Sequence, residues 1–263
     1  MGLWTKLHAV TLLPTLAILC LIACLIGYAM RNAEQKWKRL PLQIVTIVLL
    51  VLEVVKQALK LFPGPYDTYA LPFHFCSIFL FVLPFHAFYQ GKHRRFVESA
   101  TFGCCSALLM FMLLMPTVVY SDGNIQAYFS DFSSFHTVTF HALVCFYFML
   151  MLALHQYQQD TKKDIKNIVV FLFCYEVVAT AMSYLLDTNF HNLLHCNLGI
   201  GEEIRLSLVG SLGTFGQILY TLAIFVGTFL FVSLSYILVV YFSRLVTCSK
   251  GKILSKLSKR QEK

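Results

Sequence analysis

Cys76 stands near the start of an apolar run, two residues after His74 and four after Pro72. A thiol in the first turn of a helix has its thiolate stabilised by the helix dipole, and a nearby imidazole adds to that effect. His136 opens a second apolar run behind Ser133 and Ser134. His74 and His136 are therefore both candidate bases for Cys76. Three readings of Cys76 stay open: a nucleophile, a disulfide partner of Cys196, or a packing residue.

A second polar cluster, Asn189, His191, Asn192, His195 and Cys196, follows Asp187. His191 and His195 are four residues apart, so they share a face if that stretch is helical, a spacing suited to metal or phosphate. A zinc site is chemically available from these groups, but neither a CxxC pair nor an HExxH motif supports one, and no metal or cofactor is assigned. Glu53, Lys56, Gln57 and Lys60 fall at i, i+3, i+4 and i+7 on one helix face, with Glu53 and Lys56 placed to form an ion pair. Glu176 lies inside a long apolar run. It is either a carboxyl bonded to a neighbouring helix or a functional group.

The elements that position these residues follow from composition. Of 263 residues 58% are apolar and 13% are Asp, Glu, Lys or Arg, about half the charge of a soluble domain. The mean hydropathy is +0.69. These values exclude a water-soluble globule, a disordered chain and a small disulfide scaffold. Apolar runs fall at 9–30, 40–62, 71–90, 100–120, 135–158, 168–186 and 217–242. Each is long enough to cross a bilayer as a helix, and segments of about ten alternating residues that would mark a barrel are missing. The expected fold is an all-α bundle of seven transmembrane helices over 1–242, with a basic tail at 243–263.

Orientation follows from charge. The loops at 31–39, 91–99 and 159–167 and the tail hold 17 of the 21 Lys and Arg residues, all on one side of a seven-span chain. The other side's loops hold Lys6 and Arg205. The positive-inside rule places the N-terminus outside and the C-terminus in the cytoplasm. The net charge of +8 is thus a topological signal and not a nucleic-acid signal. The tail is expected to lie on anionic inner-leaflet lipid. A cleaved signal peptide is not expected, because removal after Ala23 would leave Arg31 to Arg39 near an outward end. The plasma (cytoplasmic) membrane is the expected location of this multi-pass chain. With alternating directions, Cys76, His74, His136 and the 187–197 cluster all reach the outer half of the bundle.

Several seven-helix classes fall by missing residues. The run 217–242 has no Lys for a retinal Schiff base, the third run ends Phe88-Tyr89-Gln90 without Asp-Arg-Tyr, and the last run lacks Asn-Pro-x-x-Tyr. A transporter or sensor using Glu53, Lys56 and Glu176 stays open, as does a zinc-dependent membrane hydrolase.

Three stretches carry a resemblance: Leu71-Pro72-Phe73-His74-Phe75-Cys76-Ser77, Ser133-Ser134-Phe135-His136, and Asp187-Thr188-Asn189-Phe190-His191-Asn192-Leu193-Leu194-His195-Cys196. In order and spacing the chain resembles the YwaF-type integral membrane proteins of bacteria and their eukaryotic relatives, the transmembrane protein 164 acyltransferases. The resemblance implies a Cys/His pair that moves fatty acyl chains on membrane phospholipids. By position, Cys76 would be the nucleophile and His136 the general base, with Asn189 and Asn192 in the polar stretch that serves substrate or oxyanion. The eukaryotic pattern has a His directly after the cysteine. Ser77 stands there in this chain, which leaves the base open between His136 and His74.

Overall fold

The structure, a computed structural model, describes residues 4–61, 66–197 and 199–261, with side chains described as far as Arg244. In chain order the helices are α1 (Lys6–Ala29), α2 (Gln35–Lys38), α3 (Leu40–Leu61), α4 (Phe79–Phe88), α5 (Arg94–Leu114), α6 (Pro116–Val119), α7 (Asp122–Gln126), α8 (Phe132–Ala153), α9 (Thr161–Leu185), α10 (Gly199–Leu212) and α11 (Thr214–Gln261). Short 3₁₀ turns lie at Thr68–Ala70, Phe75–Ile78 and Phe190–Asn192. The described residues are helical or irregular, without strands. Six helices among them are long and apolar enough to cross a membrane. The third apolar run is a shorter stretch, Phe75–Phe88, whose first turn is 3₁₀.

Helix boundaries shift from the apolar runs for identifiable reasons. Helix α5 begins at Arg94, six residues before its run, because Arg94 Nε and Glu98 Oε1 pair at 2.8 Å one turn apart and let charged residues sit in the helix. It stops at Leu114, because Pro116 disfavours helical geometry at Met115. The basic tail past residue 244 has its side chains outside the described residues.

Helix α5 is the central element. Every residue from Ser99 to Leu108 is buried, and most are small. A Cβ on Gly103 would stand 2.6 Å from Cδ1 of Ile168, so glycine there lets α9 approach. Helices α4, α8, α9 and α11 pack around α5, while α3 and α1 pack on α8. Large apolar side chains such as Val10, Ile18, Val51, Val54, Phe173, Val226 and Leu230 point outward. In a bilayer such a surface is solvated by acyl chains, and the backbone groups stay bonded within each helix. The top of α1 is pinned: buried His8 has Nε2 3.0 Å from the Tyr120 carbonyl and Nδ1 3.1 Å from Asp122.

The basic loops gather at the opposite end from Cys76. Arg95 donates to the Gln158 carbonyl, Gln156 Nε2 lies 2.9 Å from Gln35 Oε1, and Arg244 Nη2 lies 3.3 Å from Thr161 Oγ1.

Candidate active site

The segment before Cys76 is held in place before the helix starts. Asp67 accepts from the Tyr69 N–H at 3.0 Å, His74 Nε2 lies 2.9 Å from the Tyr69 carbonyl, and Tyr175 donates its hydroxyl to the His74 carbonyl at 2.7 Å. The His74 ring packs against Tyr69 and Phe190, with centroids 4.3 and 5.2 Å away. The backbone is extended at His74 and then turns into the 3₁₀ segment Phe75–Ile78. Cys76 thus occupies the first turn, as its position after Pro72 predicts. Its thiol is free and so is that of Cys196, so the disulfide alternative does not form. Among the described residues the Cys76 sulfur has no hydrogen-bond partner.

Cys76 lines a polar cavity of about 370 Å³ together with Glu53, Lys56, Lys60, His74, His136 and His141. Helices α3 and α8 supply most of its charge. Glu53 is buried, with Oε1 2.7 Å from Lys56 Nζ and 2.6 Å from Gln57 Nε2. Its Oε2 lies 3.2 Å from His136 Nε2. That contact is within ion-pair range but off hydrogen-bond alignment, and His136 Nε2 is buried without an aligned partner. The Glu53–Lys56 pair expected from spacing is present, and the imidazole of His136 is added to it. Asp131 caps α8 by accepting from the Ser134 N–H at 2.7 Å, and Ser134, through hydroxyl and backbone, holds the Asp131 carboxyl below the usual range. This cap fixes where α8 begins and so the register of His136.

His141, one turn and a half further along α8, escaped the sequence reading. Its Nδ1 lies 2.6 Å from the Thr137 carbonyl, so Nδ1 carries the proton of the neutral ring. Nε2 is then a bare acceptor, buried and unpartnered on the wall of the cavity. The available signal was its depth: an imidazole well inside a span is costly and marks function.

Cys76 also lines a second cavity of about 470 Å³, walled by Phe75, Leu108, Phe111, Val119, Ile224 and Phe231. Besides Cys76, its polar members are His191, Asn192 and Thr228. His191 Nδ1 lies 2.8 and 2.9 Å from the two oxygens of Glu176, which is fully buried in α9. The carboxyl inside the apolar run therefore has a specific partner. His191 is held toward it in left-handed backbone geometry, φ 51°, and its ring lies 5.4 Å from that of Phe75. This turn breaks the helix that would have put His191 and His195 on one face. His195 is exposed, and neither it nor Asn189 lines the two cavities at Cys76. Asn189 closes its own loop, accepting from the N–H groups of Leu194 and His195 at 2.9 and 3.2 Å and donating to the His195 carbonyl at 3.0 Å. Asn192 accepts from the Asn197 N–H at 3.2 Å. Among the described residues no three His, Cys, Asp or Glu side chains are grouped to hold a metal.

A helical bundle with an apolar surface and a free thiol where a polar and an apolar cavity meet is a multi-pass membrane protein with an internal site. The chain belongs to the TMEM164 family, whose sequence profile matches residues 3–234. Neither a curated protein nor a solved structure matches it.

Proposed function

We propose that this protein is a thiol-dependent lipid acyltransferase, acting on the acyl esters of membrane phospholipids, with its site in the outer half of a seven-pass bundle. The observation that carries this reading is the polar cavity that Cys76 shares with His136, whose ring lies 3.2 Å from the buried carboxylate of Glu53. Cys76 is the nucleophile, His136 the base and Glu53 the group that orients it, an arrangement recognised by role and geometry. Membership of the TMEM164 family supports the assignment.

The chemistry balances in two halves. His136 accepts the thiol proton, the sulfur bonds to the ester carbonyl carbon, the carbon–oxygen bond to glycerol breaks, and the proton passes to the leaving oxygen. A lysolipid hydroxyl then attacks the thioester, the carbon–sulfur bond breaks, and the hydroxyl proton returns through His136 to sulfur. The early N–H groups of the Phe75–Ile78 turn supply donors for the oxyanion.

Seven passes follow if Phe75–Phe88 crosses with the chain before it. Fourteen helical residues span about 21 Å, and the four preceding residues, partly extended, add about 10 Å, which matches a core of about 30 Å. The charge count then puts the N-terminus outside and the tail on anionic cytoplasmic-leaflet lipid.

The test is acyl exchange between phospholipid and lysophospholipid in nanodiscs, with labelling by an acyl-chain thiol probe. Cys76→Ala abolishes both, and His136→Ala costs nearly as much because members of one catalytic unit do not add. A loss larger for His74→Ala than for His136→Ala reassigns the base. Full exchange by Cys76→Ala ends the thiol mechanism.

A further inference from the structure

We infer that the apolar cavity beside Cys76 is the binding site for one acyl chain of a glycerophospholipid, entered sideways from the bilayer past Ala223 and Gly227, with Gly227 limiting the chain that fits. This deepens the acyltransfer reading and rests on it for the identity of the ester.

Three observations point to that occupant. First, the two cavities share Cys76 and Val119, so one elongated molecule can lie across the thiol with a polar end on one side and an apolar end on the other. The polar side has cations to meet a phosphate: Lys56 lies on its wall, and Lys60, one turn further along α3, is exposed with no ion pair among the described residues. The apolar side is walled by Phe75, Leu108, Phe111, Ile224 and Phe231, and its about 470 Å³ falls within the range of ligand sites.

Second, Gly227 is out of place by helix propensity. Glycine weakens a helix interior relative to alanine, and a helix buried against a neighbour keeps it where backbones touch. At Gly227 a Cβ would meet no atom within 4 Å. What the missing side chain preserves is open space, and that space is the cavity that Gly227 lines. Third, Ala223 lies one turn earlier on the same face, and both residues are exposed, so the low wall of the cavity faces the surrounding hydrocarbon. An apolar cavity excludes water, and in a bilayer the molecules at that wall are acyl chains.

The experiment uses the full chain in nanodiscs of phosphatidylethanolamine with a minor anionic lipid. A phospholipid with a photoactivatable group at its chain end is irradiated and the adducts are mapped by mass spectrometry, in the wild type and in Cys76→Ala. The expected adducts fall on α11 between Ala223 and Phe231 in both proteins, and Gly227→Leu reduces them several-fold. In exchange assays Gly227→Leu lowers the rate with long-chain donors about tenfold or more while short-chain donors are affected little. Gly210→Leu on α10, where added bulk also meets no atom within 4 Å, is the control and changes neither readout. Adducts on α11 without any exchange by the wild type would retain the chain site and remove the acyltransfer reading. Adducts spread evenly over the exposed faces of α1 and α3 overturn the proposal. So does a wild-type dimer that Gly227→Leu converts to monomer, which would make the groove a seat for a second copy.

Discussion

Two buried polar clusters at opposite ends of the bundle differ in how completely they are satisfied. Asp164, fully buried near the basic end, accepts from five donors. They are Arg95 Nη2 at 2.5 Å, Ser99 Oγ at 2.7 Å, the Tyr157 and Tyr236 hydroxyls at 2.5 and 2.7 Å, and the Asp160 N–H at 2.7 Å. These donors come from α5, α11 and the loop before α9, and they meet a carboxylate carried by α9, so the cluster joins elements and leaves no acceptor open. At the Cys76 end, Glu53 is also buried, though less completely, and the nearby Nε2 atoms of His136 and His141 have no aligned partner and a cavity lies beside them. A closed network costs too much to open and serves as a staple. An incomplete one next to a cavity leaves atoms available for a ligand.

The comparison breaks most visibly if Asp164 is not a staple. Asp164→Ala leaves Arg95 without its carboxylate and is expected to cost about 3–5 kcal/mol, read as thermal unfolding of the detergent-solubilised chain, with exchange per folded molecule retained. A wild-type melting temperature for this variant would remove the distinction. At the other end the expected order reverses. Glu53→Gln lowers acyl exchange about 100-fold, the scale of lost general base support, while the melting temperature moves far less than for Asp164→Ala. Equal destabilisation by the two variants would mean both clusters are structural.

His141→Phe sharpens the contrast. It keeps a ring of similar size and removes the unpartnered Nε2 together with the Nδ1 donor to the Thr137 carbonyl, so the two changes offset and stability is expected to move by less than about 1 kcal/mol. Exchange falls by about tenfold because the cavity wall beside His136 loses a polar acceptor. A loss of stability as large as that of Asp164→Ala would show that Nε2 already has a partner. The smallest effect lies outside both clusters, at Glu202. Donation from Arg205, at 2.5 and 2.8 Å, and from the Cys196 N–H, at 2.8 Å, holds its carboxyl down to about 2. The contribution is thus present above the ordinary glutamate range and is lost as pH falls through about 2. Hydrogen exchange at Cys196 should be flat between neutral and mildly acidic pH once intrinsic rates are removed, and faster below the ordinary glutamate range. Glu202→Gln should remove that dependence.

The helices, the charge asymmetry and the placing of Cys76 and His136 on one cavity wall were legible because hydropathy and depth are one-dimensional properties. Residues at matching depths on adjacent runs share a layer, and that sufficed for the polar cavity. What escaped depends on rotation and on irregular backbone. His141 needs the register of α8, which the Asp131 cap sets. The Glu176–His191 pair needs a left-handed residue that helical spacing cannot foresee. Asn189 reads as a polar ligand in sequence, yet its amide is consumed in closing its own loop. The early start of α5 needed the Arg94–Glu98 pair, which a hydropathy average counts as an interruption.

The Glu176–His191 contact also has a consequence for the order of biosynthesis. The carboxyl leaves the ribosome 15 residues ahead of the imidazole that meets it. Helix α9 therefore enters the bilayer carrying a lone acidic group, whose insertion penalty when charged is about 2.5–3.5 kcal/mol at mid-helix. That deficit is made good only when the following loop folds back between the helices. Integration of α9 is thus finished by a residue outside it. A nascent chain arrested after Leu186 should integrate this helix less completely than one extended past Asn197, and Glu176→Leu should erase the difference.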